Sequence, residues 1–326
     1  MRKIKSFFKN IPLQLHISYL FVFLIIIFAA INNSIEYYQM RESLLREAQD
    51  KVERFKQSVT FELRNVYKNN ELLLNILTQR SFQKQYSLDW YLVRLNFFVA
   101  ALENIPTLSA FYIGFEDGSS FALRPVDVDT NNLLATPKGT AWLVQSRTQQ
   151  QMAKWLFFNE RLQLIEERLA PDWNYDPRQR PWYRSTWKQH GQVAITDPYL
   201  DFSIQKPTIT FAKRLPGNLG VMGIDTDLST IETLLKHADI TDHSQLALLN
   251  KAGRVISWYG GEDQPSLSMM SLTSGLPKLA ELPSPVLSTF FHEWRQPGVM
   301  ASHRAFESNN KRWQGELVPL LSLIHI

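Results

Sequence analysis

The run IPLQLHISYLFVFLIIIFAAI sets the first constraint on the chain. From Leu13 to Ile31 no residue carries a formal charge, unless His16 is protonated. At about 1.5 Å rise per residue the run spans about 28 Å as a helix, close to the roughly 30 Å hydrocarbon core of a bilayer. Arg2, Lys3, Lys5 and Lys9 precede it with no acidic residue among them. That bias predicts a cytoplasmic N-terminus over residues 1–12 and a transmembrane helix over 13–33, with the remainder starting outside. A cleaved leader is the competing reading. The run is long for a leader and no small-x-small cleavage site precedes Asn32, so an uncleaved anchor in the inner membrane is expected.

Between Ser34 and about Arg80 there is neither proline nor glycine. Leu45, Ala48, Val52, Phe55, Val59, Leu63 and Val66 recur at alternating three–four spacing, and charges fill the other faces. The pattern predicts a long stalk helix over 34–80. Its apolar stripe either packs on its own domain or forms a seam with a second copy, and a parallel homodimer is expected.

With 326 residues, 44% hydrophobic and 20% charged, the chain can bury the cores of two ordinary domains. A net charge of +4 is too small to argue for nucleic acid, and no nucleic-acid partner is expected. The absence of cysteine excludes disulfides and thiolate metal sites.

From residue 105 onward the pattern turns to short strands. Leu108 to Pro125 reads as two strands about an Asp117-Gly118 turn. TAWLVQSRT and KWLFFNERLQLIEERL read as further strands, with helix as an alternative over Glu160–Leu169. VAITDPYLDF, KPTITFAKRL and NLGVMGIDTDL follow as strands, and STIETLLKHADI as a short amphipathic helix. HSQLALLNKAGRVISWYG reads as a hairpin turning at Lys251-Ala252-Gly253. A Ser/Pro/Gly-rich loop is expected from Gly261 to Pro285, then strands in VMASHRAF and KRWQGELVPL. The fold class is α+β, with antiparallel sheets carried on a helix.

The stretch YDPRQRPWY, Tyr175 to Tyr183, is the densest chemistry in the chain. Pro177 and Pro181 keep it out of a helix interior or central strand, so a rigid loop is expected, with a short helix over Tyr183–His190. Such a loop either grips a ligand or clasps a corner, through Arg178 or Arg180 pairing with Asp176 or Asp197.

YDPRQRPWY, followed by ITDPY, TITFAKRL, GVMGIDTDL and a hairpin with AGRVIS, resembles the double Cache sensor family of bacterial membrane receptors. The resemblance covers roughly residues 34–320. It implies two PAS-like antiparallel-sheet modules on one long helix: a membrane-distal, ligand-binding module over 75–230 and a membrane-proximal one over 238–320. The sequence is also similar to the subgroup that binds free amino acids. That likeness implies a site of Tyr175, Arg180, Trp182, Tyr199 and Asp225, an amine–carboxylate ligand, and no cofactor. The chemistry is coherent. Arg180 can fork a carboxylate, Trp182 can add an indole N–H, Asp225 can pair an ammonium, and Tyr175 and Tyr199 can offer hydroxyls and ring faces.

Two other patterns carry less. Gly260-Gly261-Glu262-Asp263 begins like a diguanylate cyclase signature but lacks its phenylalanine. His237, Asp239, Asp242 and His243 straddle an expected helix end, where capping aspartates are ordinary, so no metal site is assigned. No catalytic site is expected here. The segment from Leu156 to Tyr183 also resembles sensors fused to HD-type phosphohydrolases and to nucleotide or diguanylate cyclases, so a cyclic-di-GMP phosphodiesterase or cyclase output is the alternative. The final LSLIHI, residues 321–326, resembles the translation of a transposase-end sequencing adapter. It is expected to be non-native, with the true chain continuing past about Leu320.

Overall fold

The computed structural model describes residues 13–80, 87–105, 107–149, 152–189, 191–227, 233, 235, 244–250, 252–260, 276–294 and 303–317. The expected helix over 229–240, apart from Thr233 and Leu235, lies outside the described residues. So do His237, Asp239, Asp242, His243, residues 1–12 and the tail 321–326.

Helix α1 runs from Leu13 to Arg80 without a break. The chain divides into two compact units, Met1–Lys56 and Gln57–Ile326, and α1 contributes to both. In the first unit α1 is the one described helix long and apolar enough to cross a membrane, and its apolar stretch is exposed. In the second unit the stripe changes character. Val59 of the expected stripe is buried within the chain itself and Val66 is partly buried against the core, so this part of the stripe packs on its own domain, as do Leu74 and Leu77 beyond it.

The second unit is organised by a nine-stranded antiparallel sheet. Its strands are β1 (Leu108–Phe115), β2 (Ser120–Pro125), β3 (Trp142–Arg147), β4 (Lys154–Phe158), β5 (Leu164–Leu169), β6 (Ala194–Ile195), β7 (Tyr199–Leu200), β8 (Pro207–Arg214) and β9 (Gly220–Asp227). The order is β5-β4-β3-β2-β1-β9-β8-β6, with β7 also on β8. The helix alternative for Glu160–Leu169 is overturned: Leu164–Leu169 is edge strand β5, paired antiparallel with β4.

Period-two alternation gives the sheet two unlike faces. Phe111, Ile113, Phe121, Leu123, Val144 and Ile224 point to one, against Leu74 and Leu77 of α1, α2 (Leu88–Val93) and α3 (Leu95–Asn104). The opposite face carries Ala110, Tyr112, Ala122 and Ala212, with Gly114 and Gly223 in the same pleat. Small residues there leave room for a second layer. A Cβ on Gly114 would lie 2.4 Å from Pro177 Cβ and 2.9 Å from Trp182, and one on Gly223 would lie 2.3 Å from the Tyr112 ring. The YDPRQRPWY stretch is that second layer.

C-terminal to the sheet, β10 (Leu246–Leu249) and β11 (Val255–Tyr259) form the hairpin expected around Ala252-Gly253. β12 (His303–Ser308) and β13 (Lys311–Glu316) form another. Between them lies α6 (Pro285–Trp294), a helix that was not expected and that starts at the last residue of the stretch read as loop. Val286 and Phe290 of α6 pack on Phe306, and Leu287 joins Val255 and Trp258.

Candidate functional site

The local fold of YDPRQRPWY follows from its prolines. Pro177 opens a 3-10 turn, Pro177–Gln179, capped by the Asp176 carboxylate, which accepts from the Arg178 amide at 3.0 Å. Pro181 opens helix α5 (Pro181–Trp187), where its missing N–H costs nothing. This helix begins two residues before the expected Tyr183, because proline is favoured at a first helical position. Arg180 is the N-cap of α5 in extended conformation and makes no side-chain cap bond. A guanidinium has no acceptor with which to cap, and this one lines the cleft beside the helix start.

The two arginines have separate fates. Arg178 is exposed and forks Asp176 at 2.9 and 2.8 Å, and it donates to the Glu116 carbonyl at 3.3 Å. Arg147 braces the same loop through the Tyr175 carbonyl at 2.8 Å. Arg180 turns inward. It donates to the Leu200 carbonyl at 3.3 Å and lies 5.2 Å from the Phe202 ring centre and 5.9 Å from that of Tyr199. The stretch thus clasps with Arg178 and presents Arg180.

Tyr175, Arg180, Trp182 and Tyr199 all line one cleft. Trp182 is buried and packs against Tyr112 at 4.7 Å between ring centres. Trp173 stacks on Tyr175 at 4.9 Å, and Tyr175 meets Phe202 at 5.3 Å, so the mouth is an aromatic wall. Asp225 does not reach the cleft surface. It stands one hydrogen bond behind it, 2% exposed, accepting from Thr210 Oγ1 at 2.6 Å and from the Tyr112 hydroxyl. The Tyr199 hydroxyl closes the network, 2.6 Å from Thr210 and 3.3 Å from Tyr112.

Sequence reasoning missed the cleft's floor. Arg124 of β2 and Asp201 after β7 form a buried bidentate pair at 3.0 and 3.3 Å, 4% and 8% exposed. Asp201 also accepts from the Ser203 and Ile204 amides at 2.7 and 2.9 Å. Gln145 of β3 lies on the same floor and accepts from Ser203 Oγ at 3.2 Å. Two donors there have no hydrogen-bond partner among the described residues: Arg124 Nε and Gln145 Nε2. A buried donor left unpaired costs about 1–3 kcal/mol. No signal in the sequence ties residues 77 positions apart, so the pair was not legible.

Charge is unevenly held. Burial would raise the Asp201 carboxyl, but the Arg124 charge and hydrogen bonds, with the two amides, hold it below its ordinary 3.8. Burial pushes the Asp225 carboxyl up to about 7, the nearby Asp201 charge adds to this, and the Thr210 and Tyr112 hydroxyls act against it. Burial and then the Asp225 charge raise both the Tyr112 and Tyr199 phenols, which stay neutral hydroxyls. The cavity between these side chains is about 20 Å³, counted as room for the centre of a water molecule. That is about one water's worth.

No protein-family model matches the chain. Methyl-accepting chemotaxis protein McpB of Bacillus subtilis is 44% identical over 62 residues, 19% of this chain and 9% of that protein. Adenylate cyclase 1 of Rhizobium meliloti is 31% identical over 159 residues, 46% of this chain and 24% of that protein. The sensory domain of the Campylobacter jejuni chemoreceptor Tlp3 (CcmL), solved with isoleucine bound, superposes with a TM-score of 0.50 at 13% identity, covering 86% of this chain and 90% of that one. The chain therefore has the fold of a chemoreceptor sensory domain, the double Cache class that its motifs resemble. It spans less than a quarter of the length of the curated relatives it matches.

Proposed function

We propose that this chain is the ligand-sensing part of a bacterial membrane receptor, binding a small amine–carboxylate compound such as an amino acid. The observation that carries the reading is Arg180, held at an N-cap, without a carboxylate partner among the described residues, and lining a cleft with Tyr175, Trp182 and Tyr199. In this reading Arg180 takes the ligand carboxylate and Asp225 the ammonium, through its hydroxyl network or after those hydroxyls swing aside. The cavity is smaller than an amino acid, so binding opens the aromatic wall of Trp173, Tyr175 and Phe202. A wall that moves with ligand is the coupling a receptor needs.

The membrane placement is part of the proposal: residues 1–12 inside, 13–33 spanning, and 34–320 outside as the stalk, the distal module over 75–230 and the proximal module over 238–320. An export-dependent reporter fused after Glu316 is expected to be active, and activity of a cytoplasm-only reporter there refutes the orientation. The signal would pass to a cytoplasmic output domain. The relatives' names put a chemotaxis-type output first, and the adenylate cyclase match makes a cyclase output the second reading.

The binding test is a thermal-shift screen of the purified chain over the twenty amino acids, small amines and small carboxylates. A true ligand raises the melting temperature with dose, by mass action on the native state. A shift from carboxylates alone would retain Arg180 and discard the ammonium assignment. No shift from any of them contradicts the proposal.

A further inference from the structure

Among the described residues, the cleft floor carries a pair of orphaned donors that an amino acid with an apolar side chain would not satisfy. Arg124 and Gln145 are 4% and 1% exposed, both line the cavity, and the Arg124 Nε–H and the Gln145 Nε2 amide are buried without an acceptor. Buried donors in a folded protein are ordinarily met by an acceptor, from protein, water or ligand. The strands fix them side by side. Ala122 pairs with Gln145 across β2 and β3, and Arg124 follows Ala122 by two positions, so both side chains emerge on the cleft face.

The kind of acceptor that suits these donors follows from Arg124. A hydrogen bond from a guanidinium to a carboxylate is about twice as strong as one between neutral groups, so a carboxylate oxygen is favoured there over an amide or hydroxyl oxygen.

We infer that the site selects an amino acid whose side chain ends in a carboxylate, of the aspartate or glutamate class, with that carboxylate received by Arg124 Nε and Gln145 Nε2. This rests on the amine–carboxylate reading above and adds a second anchor to that of Arg180. Arg124 need not release Asp201, because Nε is the nitrogen that the Asp201 fork leaves unused. Gln145 is then the specificity residue, since its amide has no structural partner to lose on that side.

The test is calorimetry on the full chain in detergent or nanodiscs, with L-aspartate, L-glutamate, L-asparagine, L-glutamine, L-alanine and L-valine. One of the two acidic amino acids is expected to bind at least about tenfold tighter than alanine, valine and either amide. Gln145→Leu should reduce that preference to less than about threefold. Gln145→Glu, nearly isosteric, should abolish acidic-ligand binding by like-charge repulsion and serves if the leucine variant folds poorly. Alanine, valine or an amide binding as tightly as both acids overturns the inference and leaves the amine–carboxylate reading intact. Absence of binding by all six overturns the inference, and the wider thermal-shift screen then decides the amine–carboxylate reading. An acidic preference that survives in Gln145→Leu and Gln145→Glu overturns the role of Gln145.

Discussion

Arg124 and Asp201 meet as a buried fork, 3.0 and 3.3 Å long, on the floor of the cleft. One comes from the second strand of the sheet and the other from the turn after β7, so the pair ties the ligand wall to the sheet centre. Arg124→Ala leaves a carboxylate buried and unpaired, which typically costs about 3–5 kcal/mol. Urea unfolding of the purified chain is expected to show a loss of that order at pH 7. The Asp201 carboxyl is held below its unfolded value, so its contribution is present above about pH 4 and fades as pH falls through the lowered value. A loss under about 1 kcal/mol at neutral pH would mean the pair is not structural.

Gly114 is the position where the clasp touches the sheet. Gly114→Ala would place a methyl 2.4 Å from Pro177 and 2.9 Å from Trp182. The expected result is about 1–3 kcal/mol of destabilisation by overpacking, together with weakened ligand binding, because Trp182 must shift. Wild-type stability and affinity in this variant would show that YDPRQRPWY is not seated on the strand.

The layout of the sheet was legible in advance, and the reasons are local. Asp117-Gly118 and Ala252-Gly253 punctuate hairpins, and Gly118 and Gly253 both adopt positive φ, which turn chemistry signals directly. β5 was ambiguous because Glu166, Glu167 and Arg168 read as a helix surface. As an edge strand with exposed Leu164 and Leu169 it has no clean alternation to announce it. Helix α6 was missed because Pro285 looked like the end of a loop, when it is the first residue of a helix. Of the expected site residues, Tyr175, Arg180 and Trp182, from one continuous motif, line the cleft together with Tyr199. Arg124, Gln145 and Tyr112 line it too and were not singled out, since strand pairing and not sequence proximity assembles them.

Asp225 makes binding dependent on pH. With its carboxyl raised to about 7, the protonated form dominates below neutrality and cannot pair an ammonium. Affinity for the ligand is expected to rise from pH 5.5 to 7.5, by up to about tenfold per unit below the midpoint, with release of a proton. The ligand-free fold shows the opposite sense. The folded state holds this proton up to about 7 and the unfolded chain only to 3.8, so Asp225 makes its stabilising contribution below 3.8 and loses it as pH rises through 7. Calorimetry in buffers of differing ionisation enthalpy reads the proton release. Asp225→Asn should remove it, and a pH-independent affinity in the unaltered chain contradicts the assignment.

Two positions on α1 test dimerisation. Val52 lies on the stripe and is only partly buried in the single chain, whereas Val59 is covered by its own fold. In a chain without cysteine, Val52→Cys should crosslink efficiently in the membrane if two copies run in parallel. Efficient crosslinking through Lys51→Cys and Glu53→Cys but not Val52→Cys would put the seam on another face.

The central claim is that Arg180, and not its neighbour Arg178, holds the ligand. Arg178 already has its carboxylate in Asp176 and sits in solvent. Arg180 lines the cleft, where it donates to the Leu200 carbonyl and lies near the rings of Tyr199 and Phe202. The most direct measurement is calorimetry of the best ligand from the screen against Arg180→Ala and Arg178→Ala, with unfolding curves to confirm that both variants fold. Losing one partner of a buried charge pair typically costs about 2–5 kcal/mol, so Arg180→Ala is expected to weaken binding by about thirtyfold or more. Arg178→Ala should change it by less than about threefold, as for an exposed ion pair. Equal losses in the two variants, or wild-type affinity in a folded Arg180→Ala chain, would contradict the account.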